Sequence, residues 1–393
     1  MDPVKKNVAV LAALQALLFT NNSTAIALNG LVGYALASNK SLATLPATGW
    51  VVGAAMSTYF ASLLMKRIGR RAGFTFGTFV GILGVSICCF AIYSGSFWLF
   101  CAGSLVFGVY NAFGQYYRFA AADAAPADYK SKAISLVLAG GLVGGIIGPA
   151  TSQWTKDILP TAYLGAYIAL LAFLFVVLAV LRLLDMPPPT EKEAGEAARP
   201  LGQIMAQPVF VVAVLSAAIG YGVMNLLMTA TPLAMGICGH PYSAAAGVIS
   251  WHVVAMFAPS FFTGSLIKRF GVLQIILVGV LCNFACVFVA LAGVEVRNFY
   301  GALILLGLGW NFLYIGGTTL LTEAYQPAER AKAQGANDML IFITMATSSF
   351  SSGVLLEANG WNILNWLALP FILIVGLAVV WLGMARRAAL RPV

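Results

Sequence analysis

Apolar residues in this chain run in long unbroken blocks and do not alternate with polar ones. Twelve blocks approach or exceed the roughly 20 residues that a helix needs to cross a bilayer. They fall at about 8–37, 47–65, 72–93, 97–122, 133–155, 162–184, 208–236, 244–267, 272–294, 299–322, 335–356 and 363–384. A crossing segment must satisfy its own backbone hydrogen bonds, so each block predicts a helix. The predicted fold class is an all-α membrane protein with twelve transmembrane helices. The pattern also repeats. Ser62-Leu63-Leu64-Met65-Lys66-Arg67-Ile68-Gly69 returns as Gly264-Ser265-Leu266-Ile267-Lys268-Arg269-Phe270-Gly271, each copy joining two apolar blocks. Asn111, Asp123, Pro126 and Lys132 line up with Asn311, Glu323, Pro327 and Lys332 at nearly the same half-chain distance. Such a repeat implies duplicated halves: an N-terminal six-helix bundle over 1–184, a linker over 185–207 that is rich in proline and charge, and a C-terminal six-helix bundle over 208–393.

Composition agrees. The 393 residues are 61% hydrophobic and 9% charged, with mean hydropathy +0.90, too little polar surface to cover a soluble globule. The formal charge of +9 does not indicate nucleic acid, because the basic residues are scattered one loop at a time. All but Lys40, Lys156, Arg297 and Arg118 of the 22 Lys and Arg lie in alternate connections or at the termini. The positive-inside rule then predicts cytoplasmic termini and a cytoplasmic linker; the expected location is the plasma (inner) membrane. Lys5-Lys6 before an apolar run resembles a signal peptide, but the run is too long and the first half needs it as a span. The six cysteines show neither zinc-ligand nor disulfide spacing.

Within the spans, polar residues gather on faces. Gln15, Asn22 and Asn29 stack along the first, as helix-to-helix hydrogen bonds or as a cavity lining. Gly73, Gly77, Gly81 and Gly84 in the third, and Gly140, Gly144 and Gly148 before Pro149 in the fifth, form smooth faces for close helix packing. The fourth span is the most informative: Asn111, Gln115 and Arg118 share a face, with Tyr116 between them. An arginine in a span is costly and marks either an internal ion pair or a substrate contact. The second half offers Tyr221, Asn225, Trp251, His252, Trp310, Asn311 and Tyr314 in corresponding spans. Asp338 is the carboxylate that sits past the first turn of a span.

Twelve spans in two halves, cytoplasmic termini and a repeated Leu-x-Lys-Arg-x-Gly after spans two and eight resemble the major facilitator superfamily. That family's loop typically reads Gly-x-Leu-x-Asp-Arg-x-Gly-Arg-Arg; here Ser62 stands for the glycine and Lys66 for the aspartate. Gly144 and Gly148-Pro149 resemble the glycine-proline motif of its antiporter branch, although Ser152-Gln153 replaces the closing glycines. The resemblance implies two six-helix bundles related by pseudo-twofold symmetry, rocking around a midplane substrate. It also implies a gate in which Arg67 pairs with Asp123 and, by repeat, Arg269 with Glu323. Since Lys66 reverses the usual charge, Asp338 is expected to compensate it, with Lys268 in the matching place of the second half.

The expected function is secondary active transport of a small organic solute, planar or amphipathic and with anions included. Substrate-binding candidates are Asn22, Asn29, Asn111, Gln115, Tyr116, Arg118, Tyr221, Asn225, Trp251, His252, Trp310, Asn311 and Tyr314. Asp338 and His252 are the candidates for proton coupling. Drug/proton antiport and facilitative uniport of a metabolite or vitamin remain open. A channel lacks its charged ring or pore loop. An enzyme lacks a carboxylate pair, metal motif or activated nucleophile. No cofactor, metal or nucleic acid is expected; the partners are a small-molecule substrate, the lipid bilayer and, for coupled transport, protons, and the protein is expected to be a monomer.

Overall fold

A computed structural model describes residues 3–39, 42–186 and 199–389. Lys40, the linker stretch 187–198 and Arg391 lie outside the described residues. The described chain is a succession of helices: α1 (Pro3–Leu36), α2 (Leu45–Ile68), α3 (Arg70–Ser94), α4 (Phe97–Gly114), α5 (Tyr117–Ala124), α6 (Lys130–Thr155), α7 (Leu164–Leu181), the short α8 (Leu201–Met205), α9 (Pro208–Ile237), α10 (Tyr242–Phe257), α11 (Ser260–Phe270), α12 (Val272–Leu291), α13 (Val296–Leu321) and α14 (Arg330–Ala389). Ten stretches among the described residues are long and apolar enough to cross a membrane, with Phe97–Ala124 counted as one. A pair bent by 41°, Ser243–Phe257 and Ser260–Phe270, makes another. The longest stretch, Pro327–Ala388, is broken at Gly360, whose φ of 76° is not helical. It therefore holds two crossings, and the total is the twelve that the apolar blocks predict.

The repeated basic motif owes its closing glycine to backbone geometry. Gly69 and Gly271 end α2 and α11 at φ 86° and 94°, and each immediately starts the next helix. A side chain is strained at such angles, so glycine at both places lets one helix reverse into another without a loop. The glycine faces pack as their spacing predicts. Gly77, Gly81 and Gly84 of α3 lie against Phe113, Tyr110 and Phe107 of α4. Gly140 and Gly144 of α6 meet the backbone of α1 at Ala12 and Ala16, and Gly148 meets Ser23 and Thr20. A Cβ at any of these positions would collide, so the close approach depends on its absence.

The chain divides into two compact units. Unit 1 comprises Met1–Ala125, Leu136–Ala197 and Arg330–Met339; unit 2 comprises Pro126–Ser135, Ala198–Glu329 and Leu340–Val393. Each thus takes in a ten-residue segment from the opposite half of the sequence. In unit 1, Ser62 of α2 donates to the Ala331 carbonyl at 2.8 Å, and Gly335 packs on Tyr59 and Ser62. In unit 2, Ser131 donates to the Gly264 carbonyl at 3.1 Å, while Ser135 accepts from the Gly264 amide at 3.0 Å and donates to the Ser260 carbonyl.

Candidate functional site

Asn22, Asn111, Gln115, Arg118, Asp338 and Asn337 of unit 1 form one continuous chain of hydrogen bonds. Its centre is the break between α4 and α5, where Gln115 and Tyr116 leave the helical pattern within the fourth span. Arg118, one residue into α5, turns back on this break: its Nη1 donates to the Gln115 carbonyl at 2.7 Å and to Gln115 Oε1 at 3.3 Å. Its Nη2 meets Asp338 Oδ1 at 2.5 Å, and Asn337 Nδ2 donates to the same oxygen at 2.8 Å. The guanidinium also lies 4.5 Å from the Phe119 ring centroid. Arg118 is 1% exposed and Asp338 2%, so each charge is held out of water and neutralised by the other. On the far side of Gln115, its Nε2 donates to Asn111 Oδ1 at 3.1 Å, and Asn22 Nδ2 of α1 donates to that oxygen at 2.8 Å. Gln115 is the half-buried member of the row.

Two neighbours predicted to line a cavity are packing residues. Tyr116 is fully buried and its hydroxyl donates to the Thr58 carbonyl at 2.8 Å, tying the break to α2. Asn29 accepts from the Tyr167 hydroxyl at 2.7 Å, a buried bond between α1 and α7.

Unit 2 holds an aromatic cluster. Trp310 and Tyr314 of α13 stack at 4.9 Å and 19°, and Tyr221 of α9 stands edge-on to both at 5.4 Å. Phe257 closes the cluster on Trp310 at 5.5 Å. Tyr221 is half-buried, whereas Trp310, Tyr314 and Phe257 are buried. Asn225, one turn along α9, donates to the Met345 carbonyl and to Ser348 Oγ, both at 3.1 Å.

Three further members of the predicted cavity set have other places. Asn311 donates to the Met256 carbonyl and Ser260 Oγ, each at 2.6 Å, and accepts from Thr263 at 2.7 Å. Pro259 cannot supply an N–H and interrupts the eighth span, so Asn311 satisfies the groups which that break exposes. His252 is fully buried, its Nδ1 donating to the Leu303 carbonyl at 2.7 Å. Trp251 is 57% exposed on the outer face of α10, because adjacent residues on a helix point about 100° apart.

The gate pairs differ from those expected. Asp123 takes Arg70, through Nη2 at 2.7 Å and Nε at 3.2 Å, and not Arg67. Gly69 breaks the helix between the two arginines, so Arg67 ends α2 exposed while Arg70 begins α3 half-buried beside Asp123. Arg70 also donates to Gln334 at 2.5 Å, and Arg330 lies 3.9 Å from Asp123. Asp338 pairs with Arg118 and not with Lys66. A fully buried carboxylate demands an equally buried countercharge, and Lys66 sits half-buried at a helix end. Glu323 pairs with Arg386 at 2.6 Å and not with Arg269, which lies over the Phe270 ring. The repeat could not show this, since residue 186, at the corresponding place in the first half, is a methionine. Lys268 meets Asp128 at 3.0 Å, a hydrogen bond that holds this exposed carboxyl below its usual range.

Two arrangements escaped sequence reasoning. Gln334 stands one turn before Asp338 on the same face of α14, a spacing that could have indicated a shared partner region. Arg199 grips buried Glu329 in a fork, Nε to Oε1 at 2.5 Å and Nη2 to Oε2 at 2.6 Å, with the Gln326 amide donating at 2.9 Å. No periodicity links these residues, because 130 positions separate them.

The sequence model of the Major Facilitator Superfamily matches residues 9–296 and 248–392. The riboflavin transporter RfnT of Brucella anthropi is 42% identical over 374 residues, 94% of each chain. The MFS-type transporter YdeG of Bacillus subtilis is 28% identical over 380 residues, 91% of this chain and 87% of that protein. Among solved structures, the transporter FucP in the outward conformation superposes with TM-score 0.78 at 17% identity, covering 95% of this chain and 98% of its own. The human organic anion transporter MFSD10 gives 0.78 at 13%, covering 96% and 100%. With twelve apolar crossings, a helical fold shared with these carriers and a family match along nearly its whole length, the chain is an integral membrane secondary transporter and belongs to the Major Facilitator Superfamily.

Proposed function

We propose that this transporter carries riboflavin, and that it does so as a facilitative uniporter. The observation that carries the reading is the likeness to a riboflavin transporter along 94% of both chains. Chemistry found within each unit, taken by itself, suits such a solute. Riboflavin is a neutral tricyclic ring with a polyol tail, needing aromatic surface for the ring and amide groups for the hydroxyls. Tyr221, backed by Trp310 and Tyr314, supplies the first. The row Asn22, Asn111 and Gln115 supplies the second.

The placement of the two titratable candidates supports uniport. Asp338 is engaged by Arg118, and His252 is turned onto the Leu303 carbonyl, so neither faces the amide row as a proton carrier. The contacts of Arg330–Met339 within unit 1 serve as the gate: Arg70 with Asp123 and Gln334, Ser62 with Ala331, and Arg118 with Asp338. Lys268 with Asp128 is their counterpart in unit 2. The protein resides in the plasma (inner) membrane as a monomer with cytoplasmic termini.

Uptake of labelled riboflavin into cells that lack their own flavin carrier tests this. Expression should confer saturable uptake that persists when the proton gradient is collapsed. Gln115→Ala should weaken it about tenfold, the loss of one or two hydrogen bonds to a ligand. Absence of uptake would sink the riboflavin reading, and uptake abolished by the uncoupler would sink uniport alone.

A further inference from the structure

We infer that Asp338 is a specificity-determining residue: by neutralising Arg118, it makes the carrier select uncharged flavin over its phosphorylated form. This rests on the riboflavin reading above.

Arg118 is the one basic residue of the sequence placed inside a span, and a bare guanidinium in a substrate cavity would attract phosphate or carboxylate. Here its two terminal nitrogens are directed inward, Nη2 to Asp338 and Nη1 to Gln115. The bonding then sets the polarity of the whole amide row. Because Arg118 donates to Gln115 Oε1, the Gln115 amide nitrogen turns to Asn111, whose Oδ1 accepts from both Gln115 and Asn22. Asn22 is left with Oδ1 buried and without a protein donor among the described residues. Such an atom is costly unless a ligand supplies a donor. A hydroxyl or imide N–H does so; both flavins carry such donors, so discrimination between them rests on charge. The row therefore offers an unmatched acceptor and no net positive charge.

The charge balance is local. Arg118, Asp338 and Asn337 all lie within unit 1, on α5 and the first turns of α14. Of the nearby charged groups, Arg70 and Arg330 share the Asp123 carboxylate, at 2.7 Å and 3.9 Å. Asp338→Asn would leave an acceptor for Arg118 but convert a neutral pair into a cation. A flavin carrying a phosphate of about −1.5 to −2 charge should then bind where it had been refused.

The test compares riboflavin with riboflavin 5′-phosphate. Affinities for both are measured by titration of the purified protein, in wild type, Asp338→Asn and the charge-balanced double variant Arg118→Gln/Asp338→Asn. The wild type should prefer riboflavin by at least about tenfold. Asp338→Asn should reduce that preference by about tenfold or more, through tighter binding of the phosphate, and the double variant should return it towards the wild-type ratio. An Asp338→Asn ratio equal to wild type overturns the inference. So does a wild type that binds the phosphate as tightly as riboflavin, a measurement that needs no variant to fold. A wild type that binds neither flavin overturns the riboflavin reading itself and this inference with it, an outcome distinct from the other two.

Discussion

At the scale of single residues, one ion pair dominates. Arg118 and Asp338 are each unaffordable alone in a lipid-embedded helix bundle, yet together they bury almost completely, with side chains 2% and 3% exposed. Burial of this kind makes the pair unforgiving of single substitutions. Arg118→Gln, which strands Asp338, should lower stability by about 3–5 kcal/mol. Removing both charges together should recover most of that loss. Thermal unfolding of the purified protein in detergent reads both effects; a single variant as stable as the wild type would show that the carboxylate finds water or another partner. The amide residues nearby illustrate how little periodicity says about role. Asn22 and Asn29 share a face of α1, but one joins the polar row through Asn111 and the other bonds Tyr167.

At the scale of elements, two spans are broken, and their breaks have different causes. Pro259 divides the eighth span into α10 and α11, bent by 41°. Asn311 then bridges the gap with three hydrogen bonds. No proline or glycine pair accounts for the interruption at Gln115–Tyr116; there, Arg118 takes the Gln115 carbonyl. Asn111 and Asn311, equivalent by repeat, thus serve opposite ends: the first faces the amide row and the second repairs a helix. Asn311→Ala should cost about 1–3 kcal/mol, since it leaves the Met256 carbonyl and two hydroxyls short of a partner. Thermal unfolding should show the loss while affinity for the proposed substrate, riboflavin, stays near the wild-type value. A large fall in affinity with unchanged stability would instead place Asn311 against the substrate.

At the scale of the whole molecule, the distribution of basic residues implies an orientation that labelling can test. Cytoplasmic termini predict that a cysteine at Asp157 is labelled by an impermeant maleimide on intact cells, in a background lacking the six native cysteines. A cysteine at Arg387 should react only after permeabilisation. Both positions are exposed, so the reverse result would invert the topology.

Much of this was legible in the chain itself. Length and hydropathy of the apolar blocks determined twelve helices, because lipid leaves a crossing segment no other way to satisfy its backbone. The repeated motif located Gly69 and Gly271, since a reversal at positive φ tolerates little else. Small-residue spacing located the faces of α3 and α6, and the cost of a buried charge singled out Arg118 and Asp338. What the sequence could not decide was partnership. Arg118 with Asp338 spans 220 positions and Arg386 with Glu323 spans 63, and helical period carries no information over such distances. Nor does it survive a break: Gly69 separated Arg67 from the partner that Arg70 found. Those choices belong to the tertiary structure, because burial selects among charges by which of them can leave water together.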